Sequence, residues 1–504
     1  MLLAEIVDAS ARVAATRSRL AKVEILAEVL GHAEPEELEV VTVYLAGLLR
    51  QRRTGLGWRS TREAPEASHE PSLEVLEVDA VFTELAGLSG PGSRSVREST
   101  AASLFGRATP AEQRWLVGAI TGNVRQGASD ALVQEGLAKL TGIPVAAVRS
   151  AAMLAGSTRA VVGIAVAEGE AGLAAVGLEV GRPVLPMLAA SEPDPAAAWA
   201  RIGAEQVAVD WKLDGIRLQA HKNGDRVLLA TRTLEDITGR LPEVVEVVRA
   251  LPAGRAVIDG EALAVGPDGR PRPFQETASR TASGSGVAIT PYFFDLLHLD
   301  GEDLLDLPAS ERSERLAGLV PEAHRVPREI VSAPDEVARV FDAAVAAGQE
   351  GVVVKSLSAP YAAGRRGSGW VKVKPVHTLD LVVLAVEEGS GRRKGWLSNI
   401  HLGARDPSGG FVMLGKTFKG MTDEMLAWQT ERFTELMTER DDWVVHLRPE
   451  QVVEIAFDGL QRSSRYPGGL ALRFARVVRY RDDKTADEAD TIDDVRRLAG
   501  HDDS

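Results

Sequence analysis

Residues Gln206 to Arg232 read QVAVDWKLDGIRLQAHKNGDRVLLATR, and their reading decides the fold of the middle of the chain. QVAVDW is an apolar run of strand length that delivers Lys212 into the pattern KxDGxR, as a buried strand entering a turn would. IRLQAHKNGDRVLLATR alternates on both sides of Asn223 and Gly224, the signature of a β-hairpin with a type I′ turn. Lys212 is the residue around which the rest is read. A lysine amine is a nucleophile only when neutral, and its ordinary pKa is roughly 10.4, so the chain should place cations near it. Further along, the helical stretch LEDITGRLPEVVEVVRAL precedes the strand AVIDGEALAV. Short strands alternating with helices, hairpins included, predict an α+β domain with antiparallel sheets.

Upstream, residues 1–181 read as helical, with apolar residues three and four apart in VEILAEVLGHA and LVQEGLAKL. Two turns there set basic residues beside glycine: RQRRTGLGW, with Arg50, Arg52 and Arg53, and TGNVRQGASDALV, with Arg125 and with Ser129 placed to cap the next helix. Helix N-termini approached through glycine offer amides to phosphates, which suggests a sequence-independent grip on a duplex. Ordinary turns with solvated arginines are the other reading. GRPVLPML, Gly181 to Leu188, marks the boundary to a second domain, 182–376. From His377 the strands DLVVLAVEEG, SNIHLGARD, GFVMLGKTF, VVEIAFDGL and LRFARVVRY, with a helix near 425–437, predict an OB-fold β-barrel over 377–504, ending in an acidic tail.

A net charge of −14 argues against nucleic acid only if it is evenly spread. Acids cluster at 63–79 and 482–503, whereas Arg50, Arg52 and Arg53, Arg365 and Arg366, and Arg392 to Lys394 form basic groups. The absence of cysteine excludes disulfides, zinc ribbons and iron–sulfur clusters. The opening MLLAEIVDASARVAATRSRL lacks the continuous apolar core of a signal peptide, no run approaches a membrane span, and a cytoplasmic protein is expected.

Lys372 and Lys374 alternate in WVKVKP, so both face one side of a strand, as two phosphate ligands should. Glu261 and Glu350 each stand beside a glycine against an apolar strand, and suit a hard cation, Mg²⁺ or Mn²⁺, or a ribose. GFVMLGKT, Gly410 to Thr417, matches the P-loop pattern literally, but Phe411 to Leu414 read as a strand, so the match is taken as chance.

In order, KLDGIR, DGEALA, FFDLLHLDG, EGVVVKS, WVKVKP and RVVRYRDDK follow the motifs of the covalent nucleotidyltransferases. With its helical front end, the whole chain resembles the ATP-dependent DNA ligases of the archaeal and bacterial "ligase B" type. The missing cysteines count against the NAD-dependent ligases, whose family pattern includes a four-cysteine zinc finger. The resemblance implies that Lys212 attacks the α-phosphate of ATP and holds AMP as a phosphoramidate. It assigns the ribose or the 3′ end of a nick to Asp214 and Arg217, stacking on adenine to Phe294, and the 5′-phosphate of the nick to Arg232. Glu350 becomes a metal ligand and Glu261 a neighbour of the ribose, with Lys372 and Lys374 on phosphates. Arg481, Asp483 and Lys484 form an RxDK that orients the β- and γ-phosphates when the C-terminal domain closes. Arg392, Arg393 and Lys394 either touch DNA phosphates or are solvated. Asp210 departs from the glutamate of many relatives, and reaches for the adenine amino group with a shorter arm.

The implied partner is nicked double-stranded DNA, clamped by a monomer at the nucleoid of a bacterium or archaeon during replication, repair or recombination; no sliding-clamp peptide is evident. RNA ligases and guanylyltransferases share the lysine chemistry, and the helical front domain argues against both. A strand-break binding module with a vestigial site is the non-enzymatic alternative.

Overall fold

The computed structural model describes residues 1–51, 53–57, 65–267, 269–362, 366–389 and 393–499, without the side chains of 366–368. Arg52, Arg365, Arg392, the Arg366 side chain and the end of the acidic tail, 500–504, lie outside the described residues.

Between Leu3–Ala15 and Arg159–Ala174 the named elements are all helices. The first buries Leu3, Ile6, Ala9 and Val13, one stripe of its surface, against a core that includes Leu30, Val41, Leu45 and Phe82. Each such side chain stabilises the fold by roughly 1.5–3 kcal/mol on full burial. The second basic turn packs against the end of the helix Leu38–Leu45, ahead of the first. Gln126 donates from its side-chain amide to the Leu45 carbonyl at 2.5 Å. Gly47, at φ +73°, leaves room for Val124, which a Cβ at that position would approach to 3.1 Å. Arg53 and Arg125 are exposed on these turns. Arg50 instead turns inward to the buried Asp79. Ser129 stands at the N-cap of Asp130–Thr141, but its side chain makes no capping hydrogen bond.

The middle region holds two five-stranded sheets. One runs in the order Leu188–Ser191, Arg366–Val373, Gly351–Ser356, Val207–Lys212, Arg328–Val331. Its Val207, Val209, Val352, Val354, Val371 and Val373 pack beneath the helices Pro195–Ile202 and Pro334–Ala346, which leaves the alternate positions to face the other way. The second sheet is antiparallel: Arg226–Thr231, Ile216–Asn223, Arg255–Ala264, Ile289–Leu299, Glu302–Asp303. The hairpin expected at Asn223 and Gly224 is present with a different turn. Asn223 pairs with Arg226, so the loop is Gly224 and Asp225, and of these only Gly224 has positive φ, whereas type I′ needs it at both.

The C-terminal region forms a seven-stranded sheet in which the long strand His377–Glu388 pairs with Leu397–Arg405, Val444–Leu447 and Val452–Phe457. The helix Asp423–Glu435 seals its core through Leu426 and Phe433. The sequence reading counted five strands. It missed Met437–Asp441, whose residues are all exposed and so carry no alternation, and the four-residue Val444–Leu447, and it joined Leu470–Arg473, which lies outside this sheet, to Arg476–Tyr480, from which Phe474 separates it at φ +55°. The architecture is OB-like, and closure into a barrel is not among the pairings of the described residues. Phe411–Thr417 is a paired strand, not a phosphate-wrapping loop.

Candidate active site

Strand register builds the site. Val207–Lys212 is an inner strand of its sheet, with Lys212 opposite Gly351 on one side and Asp210 opposite Arg328 on the other. Side chains two apart on a strand share a face, so Asp210 and Lys212 point together toward the second sheet. Gly351, at φ +130°, lets the chain turn under Val373, whose carbonyl would lie 2.2 Å from a Cβ there. That crowding carries Glu350 between two lysines. Gly215 of KLDG is needed for a similar reason: a Cβ would sit 2.6 Å from the Ala262 carbonyl and 2.9 Å from the Glu261 side chain.

Between the sheets lies a cavity of about 410 Å³ whose wall includes Asp210, Lys212, Arg217, Arg232, Glu261, Phe294, Lys355, Trp370 and Lys372. Its back is a lattice of satisfied charges. The Arg217 guanidinium donates from Nε to Asp259 Oδ1 at 2.6 Å and from Nη2 to Oδ2 at 2.5 Å. Asp259 is fully buried, and its Oδ2 also accepts from the Tyr361 hydroxyl at 2.6 Å. Burial opposes the charge on Arg217, and Asp259 more than restores it, so the group stays protonated. Asp210, 2% exposed, accepts from Arg328 Nε and Nη2 at 2.5 and 2.7 Å and pairs with Lys355 Nζ at 2.6 Å. Burial would raise its pKa, but Arg328 and Lys355 hold it below the usual carboxylate range. Phe294 meets Trp370 edge-on at 5.8 Å, with Arg217 and Lys355 over its ring at 4.8 and 4.5 Å from the centroid.

The front is different. Lys212 donates to one oxygen of Glu350 and Lys374 to the other. The cations expected near Lys212 therefore share it with a carboxylate. Burial would raise the Glu350 pKa, and Lys212 and Lys374 together pull it below the usual range. Glu261 is pushed up to about 7, chiefly by burial, with Lys212 and Arg217 opposing and Asp259 and Glu350 adding to the rise. No hydrogen bond to its carboxylate is among those of the described residues.

For a divalent metal, the donor set can be judged directly. Among the described residues no group of three or more His, Cys, Asp or Glu side chains could hold an ion by itself. Mg²⁺ commonly takes one or two carboxylates, with substrate phosphates and water completing its shell. Glu350 and Glu261 fit that pattern, a metal shared with a nucleotide, rather than a resident ion.

Other residues singled out in the sequence are not in the cavity wall. Asp214 accepts from Arg473 of the C-terminal region at 2.9 Å, and Lys374 lies 3.5 Å from Asp458 of the same region. Arg481 and Lys484 both bind Asp380, at 2.9 and 2.7 Å, within their own region. Sequence reasoning passed over Arg328 and Tyr361, and gave no role to Asp259 or Lys355, which it quoted within DGEALA and EGVVVKS. A lysine in an apolar strand was a usable signal, because a buried ammonium needs a partner. Arg328 carried none.

The chain is similar to known proteins along most of its length. Residues 186–374 match the ATP dependent DNA ligase domain, 393–484 the ATP dependent DNA ligase C terminal region and 57–138 the DNA ligase N terminus. A probable DNA ligase of Nocardioides sp. is 66% identical, over 99% of both chains. One from Streptomyces griseus is 56% identical, over 98% of this chain and 99% of its own. The solved structure Pmar-Lig_PreS3, at 19% identity, shares the fold with a TM-score of 0.63 over 94% of this chain and 99% of its own. The middle region is thus a nucleotidyltransferase domain. The chain as a whole belongs to the family of ATP-dependent DNA ligases.

Proposed function

We propose that this ATP-dependent DNA ligase seals nicks in duplex DNA through a lysyl-AMP intermediate on Lys212. The neutral Nζ of Lys212 forms a bond to the α-phosphorus of ATP as the bond to the leaving pyrophosphate breaks. AMP then passes to the 5′-phosphate of the nick, breaking the phosphorus–nitrogen bond. The 3′-hydroxyl attacks that phosphate, forms the phosphodiester and releases AMP.

The observation that carries this reading is the position of Lys212, at the end of an inner strand and in the wall of a nucleotide-sized cavity with Glu261, Phe294 and Lys372. Phe294 stacks on the base, Arg217 and Glu261 border the ribose, and Lys372 and Lys374 bind phosphates. A divalent metal, held by Glu350 with Glu261, would neutralise phosphate charge. Nucleotide binding draws Glu350 away from Lys212, which frees the amine. Arg232, exposed at the cavity rim, takes the 5′-phosphate. Arg53 and Arg125, exposed on the two basic turns, contact duplex phosphates without reading sequence.

The domains are 1–181, 182–376 and 377–504, the last an OB barrel that moves as a unit. Arg481 and Lys484 leave Asp380 to meet the β- and γ-phosphates during adenylylation, and the contact of Arg473 with Asp214 belongs to the other arrangement. The enzyme works as a monomer around DNA.

The test is incubation of the protein with divalent metal and α-labelled ATP, GTP or NAD, followed by denaturing separation and peptide mapping. Label from ATP alone, on Lys212, and sealing of a nicked DNA duplex in preference to nicked RNA are expected. No label on fully de-adenylylated protein would overturn the reading.

A further inference from the structure

We propose that Asp458 competes with the outer phosphates of ATP for Lys374, so that docking of the C-terminal region against the middle region and binding of ATP oppose each other. The inference rests on the reading of the cavity as the ATP site and of Lys374 as a phosphate ligand.

A small ribbon makes the contact. Gly459–Arg462 and Leu470–Arg473 pair antiparallel, outside the seven-stranded sheet. From this ribbon Arg473 Nη1 donates to Asp214 at 2.9 Å, and its guanidinium lies 5.1 Å from the centroid of the Phe274 ring. Gln275 donates from its side-chain amide to the Arg462 carbonyl at 3.0 Å. Asp458 directly precedes the ribbon, and its amide donates to the Arg473 carbonyl at 3.0 Å, which fixes the two residues to one another. When Arg473 sits on Asp214, Asp458 therefore arrives at Lys374, with Oδ2 3.5 Å from Nζ. Its other oxygen accepts from Arg476 Nη1 at 3.0 Å, which leaves Oδ2 for the lysine.

Lys374 then stands between two carboxylates, Asp458 and Glu350. Lys372 is in the cavity wall and Lys374 is not, which suits Lys374 to the phosphates farthest from the base. A phosphate oxygen that approaches its ammonium meets a like charge already in place, and the two repel. The Asp458 contact is partly exposed on both sides, so it contributes little by itself and yields to a more highly charged ligand. The same region withholds Arg481 and Lys484, which rest on Asp380. Docked in this way, it covers with its own carboxylates the cations assigned to the β- and γ-phosphates.

The charge of those phosphates thus selects the arrangement. ATP takes Lys374 from Asp458 and loosens the ribbon. Once AMP is on Lys212, the departing pyrophosphate returns Lys374 to Asp458, and the ribbon docks again. The coupling is reciprocal: whatever docking costs the affinity for ATP, ATP costs docking.

The experiment measures binding of α,β-methylene ATP and of AMP to the fully de-adenylylated, full-length protein by calorimetry. The methylene bridge blocks transfer to Lys212, and AMP lacks the outer phosphates. Asp458→Asn is expected to tighten the analogue about tenfold and AMP by less than about threefold. Arg473→Gln, which releases the ribbon from Asp214, should tighten the analogue by a similar factor. Adding Asp458→Asn to it should bring no further gain, because an undocked carboxylate no longer stands at Lys374. A merely structural role for Asp458 would instead move AMP and the analogue together. If Asp458→Asn does not fold, Arg473→Gln decides alone, by tightening the analogue more than AMP or failing to. Unchanged analogue affinity in folded Asp458→Asn, an equal gain for AMP, or additive gains in the double variant overturns the inference and leaves the ligase reading intact. Failure of the unaltered protein to bind the analogue at all overturns the reading of the cavity as the ATP site.

Discussion

Two sets of ion pairs of the same kinds flank the cavity, a back wall and a front wall, each partly behind the residues that line it, and they are built for different ends. At the back, Asp259 is closed by Arg217 and Tyr361, and Asp210 by Arg328 and Lys355, all deep between the sheets. At the front, Glu350 is held by Lys212 and Lys374, and among the described residues Glu261 has only through-space partners. A buried carboxylate with several fixed donors cannot exchange them cheaply, whereas an accessible ion pair is worth little and yields to a better ligand. The back wall is a mould, and the front wall is a set of groups that phosphates can displace.

The strongest test of that contrast is Lys212→Ala. It should abolish the AMP adduct outright yet shift the urea midpoint by no more than about 1 kcal/mol equivalent, because a front-wall pair contributes little to stability. An adduct that survives would place the nucleophile elsewhere. Asp259→Ala should do the reverse. Stranding Arg217 without its counter-ion is expected to cost about 3–5 kcal/mol of stability in urea titration. A loss below about 1 kcal/mol would mean that the back wall is no more rigid than the front.

A third network behind the second sheet sharpens the comparison through pH. His221, 2% exposed, accepts from the Gly181 amide through Nδ1 at 3.1 Å, and its Nε2 meets Gln219 Oε1 at 2.8 Å, so it tethers the linker in the neutral form. Burial, with His298 adding to it, lowers its pKa from 6.5 to about 4. The unfolded chain takes up the proton near 6.5 and the folded one only near 4. Stability is therefore complete above that window, falls by up to about 3 kcal/mol as pH drops through it, and loses nothing more from this group below it. Thermal unfolding of the wild type against His221→Gln between pH 7 and pH 4 measures the difference; parallel curves would remove the tether. The smallest expected effect is that of Lys374→Ala. Adenylylation should slow roughly 10- to 100-fold with a stability change under about 1 kcal/mol. A large stability loss here would make the front wall structural.

Much of this was legible in the sequence because local patterns record burial. Alternation in IRLQAHKNGDRVLLATR gave both strands of the hairpin, and the apolar run before Lys212 gave the buried strand that carries it. The cavity gathers Lys212, Arg217, Arg232, Glu261, Phe294 and Lys372, all singled out beforehand. What escaped had weak local signals. Met437–Asp441 is a strand exposed throughout, and the turn type at Gly224 depended on which residues flanking it paired.

By itself, the sequence determined the motif order, the strand faces and the family, since each depends on residues within a few positions of one another. Only the tertiary structure decided who holds whom. Asp210 and Arg328 are 118 positions apart and meet because two strands share a register. The second basic turn of the helical region is tied to the end of the helix Leu38–Leu45 through Gln126 and Leu45, 81 positions apart. Arg481 and Lys484 sit on Asp380 rather than at the cavity because the packing of the C-terminal region put that carboxylate within reach. A buried charge must find a counter-charge, but nothing near it in the chain says which one, and that choice is made when the sheets align.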